Sequence, residues 1–407
     1  MSKIRILAIP SDKHGVGKFR MMDPFVFISD KHSEDIHVDI SYNAEDRDDY
    51  FLNYDIVVFH TFIHQTNHEH NIKRINWLKS KGIITIMDID DLWFVDQRHP
   101  MYMAIKMNKV GEMKIDMLKT VDYVSTTTPI FAKTIKDKLK VSNVVVFPNA
   151  VNEDEPQFQN KPVQSDKVRF GWLGGSSHLH DLELMSNGIS STYNLFKDKV
   201  QFVLCGFDTR GSVTEINPTT GEQKKRDILP HETVWAQYEK IFTQNYGIVS
   251  EEYKKHLINY DQQSYSNELN EAYVRVWTKP VTSYAKNYSK FDVSLSPIKN
   301  TMFNRMKSQL KVIEAGFYKK ALIASDLGPY TIDLKHCLKN GEFVDGNALL
   351  VNENRNHADW PKFIEKLVKN PNLAKDMGER LYETVKDKYD LNIVTKTRAE
   401  FYKSIVK

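Results

Sequence analysis

Cysteine is nearly absent from this chain: its 407 residues include only Cys205 and Cys337. That excludes a scaffold stapled by disulfides, and Cys205, inside the apolar run VQFVLCG, reads as a buried thiol suited to a reducing compartment. No apolar run is long enough to span a bilayer, and the opening MSKIRILAIP is too short and too charged for a secretory leader. The expectation is a cytoplasmic protein without a transmembrane segment. An excess of charge of one sign is also missing. Lys and Arg total 56 against 53 Asp and Glu, a formal net charge of +3, too mild to mark a nucleic-acid binder although it does not exclude one. The chain shows no low-complexity tract and no repeat of fixed period.

What the chain has is an alternation. Short runs rich in Val, Ile and Phe are separated by longer amphipathic segments, the pattern of a parallel sheet covered by helices. Strands are expected at IRILAIP, HVDIS, DIVVFH, IITIMD, DYVST and NVVVFP, and again at VRFGWL, VQFVLCG, FDVSLS and ALIAS. Between the two series, NEDEPQFQNKPVQSD is polar, has two prolines and lacks periodicity, as a linker does. The expected division is a doubly wound domain over 1–151, a linker over 152–166, a second doubly wound domain over 167–389 and a final amphipathic helix over 390–407. Within the second domain, about 207–276 is polar and tyrosine-rich (TRGSVTEINPTTGEQKKRD, HETVWAQYEKIF, EEYKKHLINY) and reads as an insertion with helices of its own.

In open parallel sheets ligands gather beyond the carboxyl ends of the strands, so the loops there hold the candidate site. After the first strand comes SDKHGVGKFR. Gly15 and Gly17 permit close backbone approach, and Lys18 and Arg20 begin the next helix. The spacing matches neither a dinucleotide fingerprint nor a Walker loop, which argues against a nicotinamide-dependent oxidoreductase. After VRFGWL, the residues Gly174, Gly175 and Ser176 offer backbone N–H groups to an anion, or simply make a tight turn. His178 and His180, like His60, His64, His68 and His70, read as hydrogen-bonding groups rather than a metal site; His60 ends a strand. After ALIAS, DLGPY places Gly328 and Tyr330 at a stiff turn.

The densest chemistry lies in FNRMKSQLKVIEAG. As a helix capped by Asn304 at about 100° per residue, it would put Lys307, Lys311 and Glu314 within an arc of roughly 60°. Arg305, Lys307 and Lys311 would then meet a diphosphate, and Glu314 the paired hydroxyls of a ribose. The plain alternative is a Lys311–Glu314 surface pair worth tenths of a kcal/mol. In MDIDDLW, Asp88, Asp90 and Asp91 follow an apolar strand. They read either as cleft-facing acids that bind acceptor hydroxyls or as ligands of a divalent metal on a diphosphate, the weaker alternative.

With these residues in view, the chain resembles the retaining glycosyltransferases of GT-B fold, the group called glycosyltransferase family four. The likeness is clearest from GWLGGSSHLHDLELM through NRMKSQLKVIEAGFYKKALIASDLGPY to GNALLV. It implies an α/β architecture of two Rossmann-like doubly wound domains facing across a cleft. It also implies a nucleotide-diphosphate sugar on the second domain, an acceptor on the first, and a last helix that returns to the first. The second glutamate of the family's E-x7-E motif matches Glu314, which the resemblance makes the ribose ligand. The first is replaced by Lys307, and the family's usual Arg and Lys after the first strand of the second domain are missing, so the cationic role is assigned here to Arg305, Lys307 and Lys311.

The implied enzyme needs no cofactor beyond its nucleotide sugar. Lys307 and Arg305 are the candidate catalytic residues, and Gly15, Gly17, Gly174, Gly175, Ser176, Lys311, Glu314, Gly328 and Tyr330 the candidate donor contacts. Lys18, Arg20, His60, Asp88, Asp90 and Asp91 are assigned to the acceptor side. A surface or lipid-linked glycan is the expected acceptor, a hydroxymethylated DNA base the alternative. A catalytically silent sugar-nucleotide-binding protein is the reading from another class.

Overall fold

In the computed structural model, residues 3–64, 67–159, 161–196, 198–216, 220–245, 248–249, 272–353 and 357–406 are described. The first half builds a parallel sheet from β1 (Ile4–Ile9), β2 (Ile36–Ile40), β3 (Ile56–His60), β4 (Ile84–Ile89), β5 (Tyr123–Thr126) and β6 (Val144–Val146), in the order β2-β1-β3-β4-β5-β6. The second half builds another from β7 (Val168–Leu173), β8 (Val200–Phe207), β9 (Tyr273–Trp277), β10 (Val293–Ser296), β11 (Ala321–Ser325) and β12 (Leu349–Val351), ordered β9-β8-β7-β10-β11-β12. All pairings within both sheets are parallel. Strands covered on both faces need mostly apolar side chains on both, which is why β3 and β8 are dominated by hydrophobic residues, with every residue buried.

Each sheet has a hydrophobic cluster on either face. Leu7, Phe59, Met87 and Leu118 stand in one cluster of the first half, and Ile6, Val58, Phe147 and Tyr402 in the other. Trp172, Phe202, Trp235 and Trp360 occupy one face of the second sheet, and Val203, Tyr288, Ile313 and Leu322 the other. Met306, from the second half, is buried in a cluster of the first, so the halves share apolar contact as well as polar bridges.

The helices that position the site are α1 (Asp23–Lys31), α2 (His68–Ser80), α3 (Val110–Thr120), α4 (Pro129–Leu139), α5 (Ser186–Phe196), α6 (Val234–Thr243), α7 (Met302–Arg305), α8 (Leu310–Phe317), α9 (Asp359–Lys369), α10 (Pro371–Tyr389) and α11 (Leu391–Ile405). The chain leaves α10 at Asp390, whose side chain caps α11 through the Asn392 N–H at 2.9 Å. Helix α11 then lies on α1 of the first half, with Tyr402 stacked on Phe25 at 5.9 Å and Arg398 donating to the Arg20 carbonyl at 2.9 Å.

Three local expectations change. Lys307 does not share a helix with Lys311: α7 is a single turn capped by Thr301, the chain breaks over 306–309, and α8 starts at Leu310. Asn304 is no cap but a buried tie, donating to Asp181 Oδ1 and the Lys299 carbonyl, both at 2.9 Å. In the insertion, HETVWAQYEKIF supplies α6, but TRGSVTEINPTTGEQKKRD holds an antiparallel hairpin of Ser212–Ile216 and Gln223–Asp227, hidden from the hydrophobic pattern by its polar composition. EEYKKHLINY lies outside the described residues. Strand β9, at the end of the insertion, joins the sheet edge beside β8.

Candidate active site

Both strand orders reverse direction at one point, between β1 and β3 in the first sheet and between β7 and β10 in the second. At such a point the loops leave in opposite directions and open a crevice at the carboxyl ends of the strands. Here the two crevices face each other. Between them lies a cavity of about 200 Å3, lined by Gly15, Val16, Phe19, Arg20, Asp90, Asp91 and Asn149 from the first half and by His178, Ile298, Lys307, Ser308, Leu310, Lys311 and Tyr330 from the second. The halves are tied around it by Asn149 donating to Ser308 at 3.0 Å, by Arg98 paired with Glu183 at 3.2 Å, and by His99 edge-on to Phe303 at 5.2 Å.

The wall from the first half carries charges that answer one another. Arg20 reaches Asp88 through two parallel bonds of 2.9 and 2.7 Å, and donates also to Asn149 at 3.1 Å. Ser125 donates to Asp88 at 2.6 Å. Burial opposes ionisation of Asp88, yet the Arg20 guanidinium holds its carboxyl below the ordinary range. His60, bracketed by Ser11 at 2.7 Å and Asp90 at 3.0 Å, orients Asp90. Burial works against the Asp90 carboxylate too, but the His60 hydrogen bond keeps it at about 2. Asp91 has no such partner, and burial followed by the Asp90 charge pushes it up to about 6. Two adjacent acids thus differ in affinity for a proton because one has a donor and the other has a neighbouring anion. Lys114 sits close to both, its amine lowered by burial.

The wall from the second half carries two cations without ion-pair partners. Among the described residues, neither Lys307 nor Lys311 makes an ion pair. Each rests its ammonium on a ring instead, Lys307 over Phe303 at 4.8 Å and Lys311 over Trp172 at 4.6 Å. Burial, then the Lys307 charge, lowers the Lys311 amine to about 8. His178 donates or accepts at Nδ1 with Asp181 at 2.7 Å; burial and the two lysines hold its pKa at about 3, so the ring is neutral and keeps Nε2 for a ligand. Asp181 also accepts from the Lys299 N–H at 2.7 Å and from Asn304, which locks the loop after β10 against the turn after β7.

Of the residues expected from the sequence, Gly15, Arg20, Asp90, Asp91, Lys307, Lys311 and Tyr330 meet at the cavity. The others stand elsewhere. Gly17 is a packing position: a Cβ there would lie 1.8 Å from the Asp12 carbonyl oxygen. Lys18 is buried against Asp23 at 2.8 Å and Glu155 at 3.0 Å. Asp88 is engaged by Arg20 and Ser125, and His60 lies behind Asp90, so these two shape the wall rather than line it. Arg305 is exposed and donates to Asn300 at 2.7 Å. Gly328, at φ +54°, closes a turn against the Arg305 backbone. Gly174 lies beside Lys311, with a virtual Cβ 3.1 Å from its Nζ, while Gly175 and Ser176 are exposed at the rim.

Glu314 departs most from expectation. It is buried, does not line the cavity, and accepts hydrogen bonds from the hydroxyls of Tyr284 and Tyr288, the latter at 3.0 Å. Burial raises its carboxyl to about 7, although both tyrosine bonds favour the anion. The sequence reading missed Asn149, Ser308 and the His178–Asp181 pair; the i,i+3 spacing of the pair was its one local signal.

No protein-family model matches the chain, and no curated protein matches it. Solved structures do. A sucrose-phosphate synthase from Thermosynechococcus elongatus is similar with a TM-score of 0.62 at 12% identity, over 99% of each chain. HepE from Anabaena, solved with UDP and glucose, gives 0.61 at 8% identity over 99% of this chain and 100% of its own. A glycosyltransferase from Rickettsia africae gives 0.58 at 14% identity over the whole of both chains. Identity this low speaks to architecture, and the architecture is the GT-B fold expected from the resemblance.

Proposed function

We propose that this chain is a glycosyltransferase that moves a sugar from a nucleotide-diphosphate donor, a UDP-sugar, to a hydroxyl acceptor. The observation that carries the reading is the pair Lys307 and Lys311, two unpaired cations at the switch point of the second sheet, facing Asp90 and Asp91 across a cavity shared by both halves. Sugar transfer builds negative charge on the departing diphosphate while the sugar carbon becomes oxocarbenium-like, and fixed ammonium groups in a partly dry site stabilise that charge without reorganisation. In this reading Lys307 and Lys311 hold the diphosphate, His178 Nε2 and the Gly174 backbone contact the donor, and Tyr330 closes its side. Glu314 positions the end of the donor pocket through Tyr284 and Tyr288 rather than by touching ribose.

Asp90 and Asp91 receive the acceptor hydroxyl, with Arg20, Asp88 and His60 keeping that wall rigid. The lysines take the place a divalent metal would fill, and attack on the face from which the diphosphate leaves would retain the anomeric configuration. The likeness to HepE, solved with UDP-glucose, supports the donor class, and the likeness to TarM, solved in a complex with alpha-GlcNAc-glycerol and UDP, supports a glycan acceptor. Two buried free thiols fit a cytoplasmic, reducing setting.

Thermal unfolding with a panel of nucleotides and nucleotide sugars, followed by assay of nucleotide diphosphate release, tests the proposal. A ligand at 100 times its Kd adds about 2.7 kcal/mol to the native state. UDP and one UDP-sugar are expected to raise the melting temperature, and that sugar to be consumed. Stabilisation without release would leave a silent binding protein. No stabilisation by any nucleotide would end the reading.

A further inference from the structure

We propose that Asp46, His64 and His70 form a binding site for one divalent first-row transition ion, with Zn2+ as its probe. One ligand atom from each residue lies within 4.8 Å of the other two. His64 Nε2 is 3.2 Å from Asp46 Oδ1, and His70 Nε2 is 2.8 Å from Asp46 Oδ2. Around a tetrahedral ion with bonds of about 2.0–2.1 Å, ligand atoms stand about 3.3 Å apart, so small side-chain shifts complete the set. Both ring nitrogens are buried, and neither meets hydrogen-bond geometry with any partner. Both nitrogens thus converge on one carboxylate with their hydrogen-bonding capacity unmet.

The ligands are also held in place. Asn71 accepts from the Ile63 and His64 N–H groups at 2.9 and 3.1 Å and donates to the His64 carbonyl at 3.0 Å, which fixes the backbone of that ligand. Asn67 caps α2 through the His70 N–H at 2.8 Å, fixing the second. Arg74 holds Asp46 at 2.8 Å and Asp48 at 2.7 Å, supplying the hydrogen bonds that ligating carboxylates normally receive. The competing account is an ordinary ion-pair network around Arg74. It explains Arg74 and Asp46, but not two buried, unbonded imidazole nitrogens. Two imidazoles and a carboxylate suit Zn2+ or a neighbouring transition ion rather than Mg2+ or Ca2+, and leave a fourth position for water. Such an ion would tie the chain after β2 to the segment between β3 and α2. The sequence alone suggested only hydrogen-bonding histidines, because the acid lies 18 and 24 positions away from them.

The test is independent of sugar transfer. Chelator-treated full-length protein is titrated with Zn2+ against a chromophoric competitor, and separately with Co2+ to read the visible bands of a tetrahedral site. Wild type is expected to bind one equivalent. His64→Ala/His70→Ala should lose it together with the Co2+ bands, and Asp46→Asn, at an exposed position, should weaken it by at least about tenfold. Full binding by the double variant, or none by wild type, overturns the site. If the double variant does not fold, unchanged affinity in Asp46→Asn does so instead.

Discussion

The two halves share one grammar of six parallel strands but treat their cleft charges in opposite ways. In the first, Arg20 is matched to Asp88, His60 to Asp90, and Lys18 to Asp23 and Glu155. In the second, Lys307 and Lys311 face the cavity with aromatic rings behind them and, among the described residues, no ion-pair partner. A wall whose charges are answered internally is rigid and nearly neutral toward a ligand. A wall whose cations are left open carries its electrostatic energy until an anion arrives. The proposed diphosphate site in the second half rests on this asymmetry as well as on the fold.

The strongest way to break the comparison is to reverse the open charges. Lys307→Glu/Lys311→Glu should lower kcat/KM by at least about 10^3, since removing single preorganised donors in such sites costs about 10^2–10^3 each. The variant should remain folded by circular dichroism, because neither ammonium makes an ion pair within the described residues. Activity within tenfold of wild type would place the diphosphate elsewhere.

Breaking a compensated pair should act on stability instead. Asp88→Ala leaves Arg20 buried without its anion and should destabilise the protein by about 3–5 kcal/mol in urea unfolding. UDP affinity, measured where the variant is still folded, should change less than threefold. A large loss of affinity with normal stability would mean that the first wall also binds the donor.

Glu314 sharpens the contrast, because it is a buried acid of the second half that holds its proton instead of pairing with a lysine. The folded protein holds its proton up to about 7 against an ordinary 4.5. Between those values the native state binds more protons than the unfolded chain, so this contribution is full below pH 4.5 and is lost as pH rises through 7. The loss is up to about 3 kcal/mol. Glu314→Gln cannot titrate, and its unfolding free energy should fall less steeply between pH 5 and 7. If the same variant also loses UDP affinity tenfold, the carboxylate touches the nucleotide after all.

The sequence made these two regions legible to different depths. Strands of the two parallel sheets were readable because both faces are covered, so β3 and β8 are largely apolar, while β9, at the end of the polar insertion, and the three-residue β12 gave too weak a signal. The lysines of the open wall could be found because unpaired cations after a strand are visible locally. The break over 306–309 could not, since nothing in the local hydrophobic pattern marks it, and Asn304 there bonds Asp181, 123 positions away. Glu314 was misplaced for the same reason: its partners Tyr284 and Tyr288 are brought near it only by the packed sheet. Long-range polar ties leave no period in the sequence, and it was these ties that decided which expected residues reach the cavity.

The gentlest test reads the charge of Lys311 alone. Burial and the Lys307 charge hold the Lys311 amine at about 8, so in the free protein it is charged below that pH and neutral above it. A diphosphate favours the charged form, and binding should be strongest below pH 8 and weaken as the pH rises through 8 to 9.5, by about three- to tenfold, the range of a single charge contact at a partly buried site. Calorimetry of UDP in buffers of different ionisation enthalpy should show fractional proton uptake near pH 8.5. Lys311→Met should abolish both the uptake and the decline, while leaving a lower affinity. If the decline persists in Lys311→Met, the titrating group lies on the other wall, and the division of charge between the halves is not the one that binds the diphosphate.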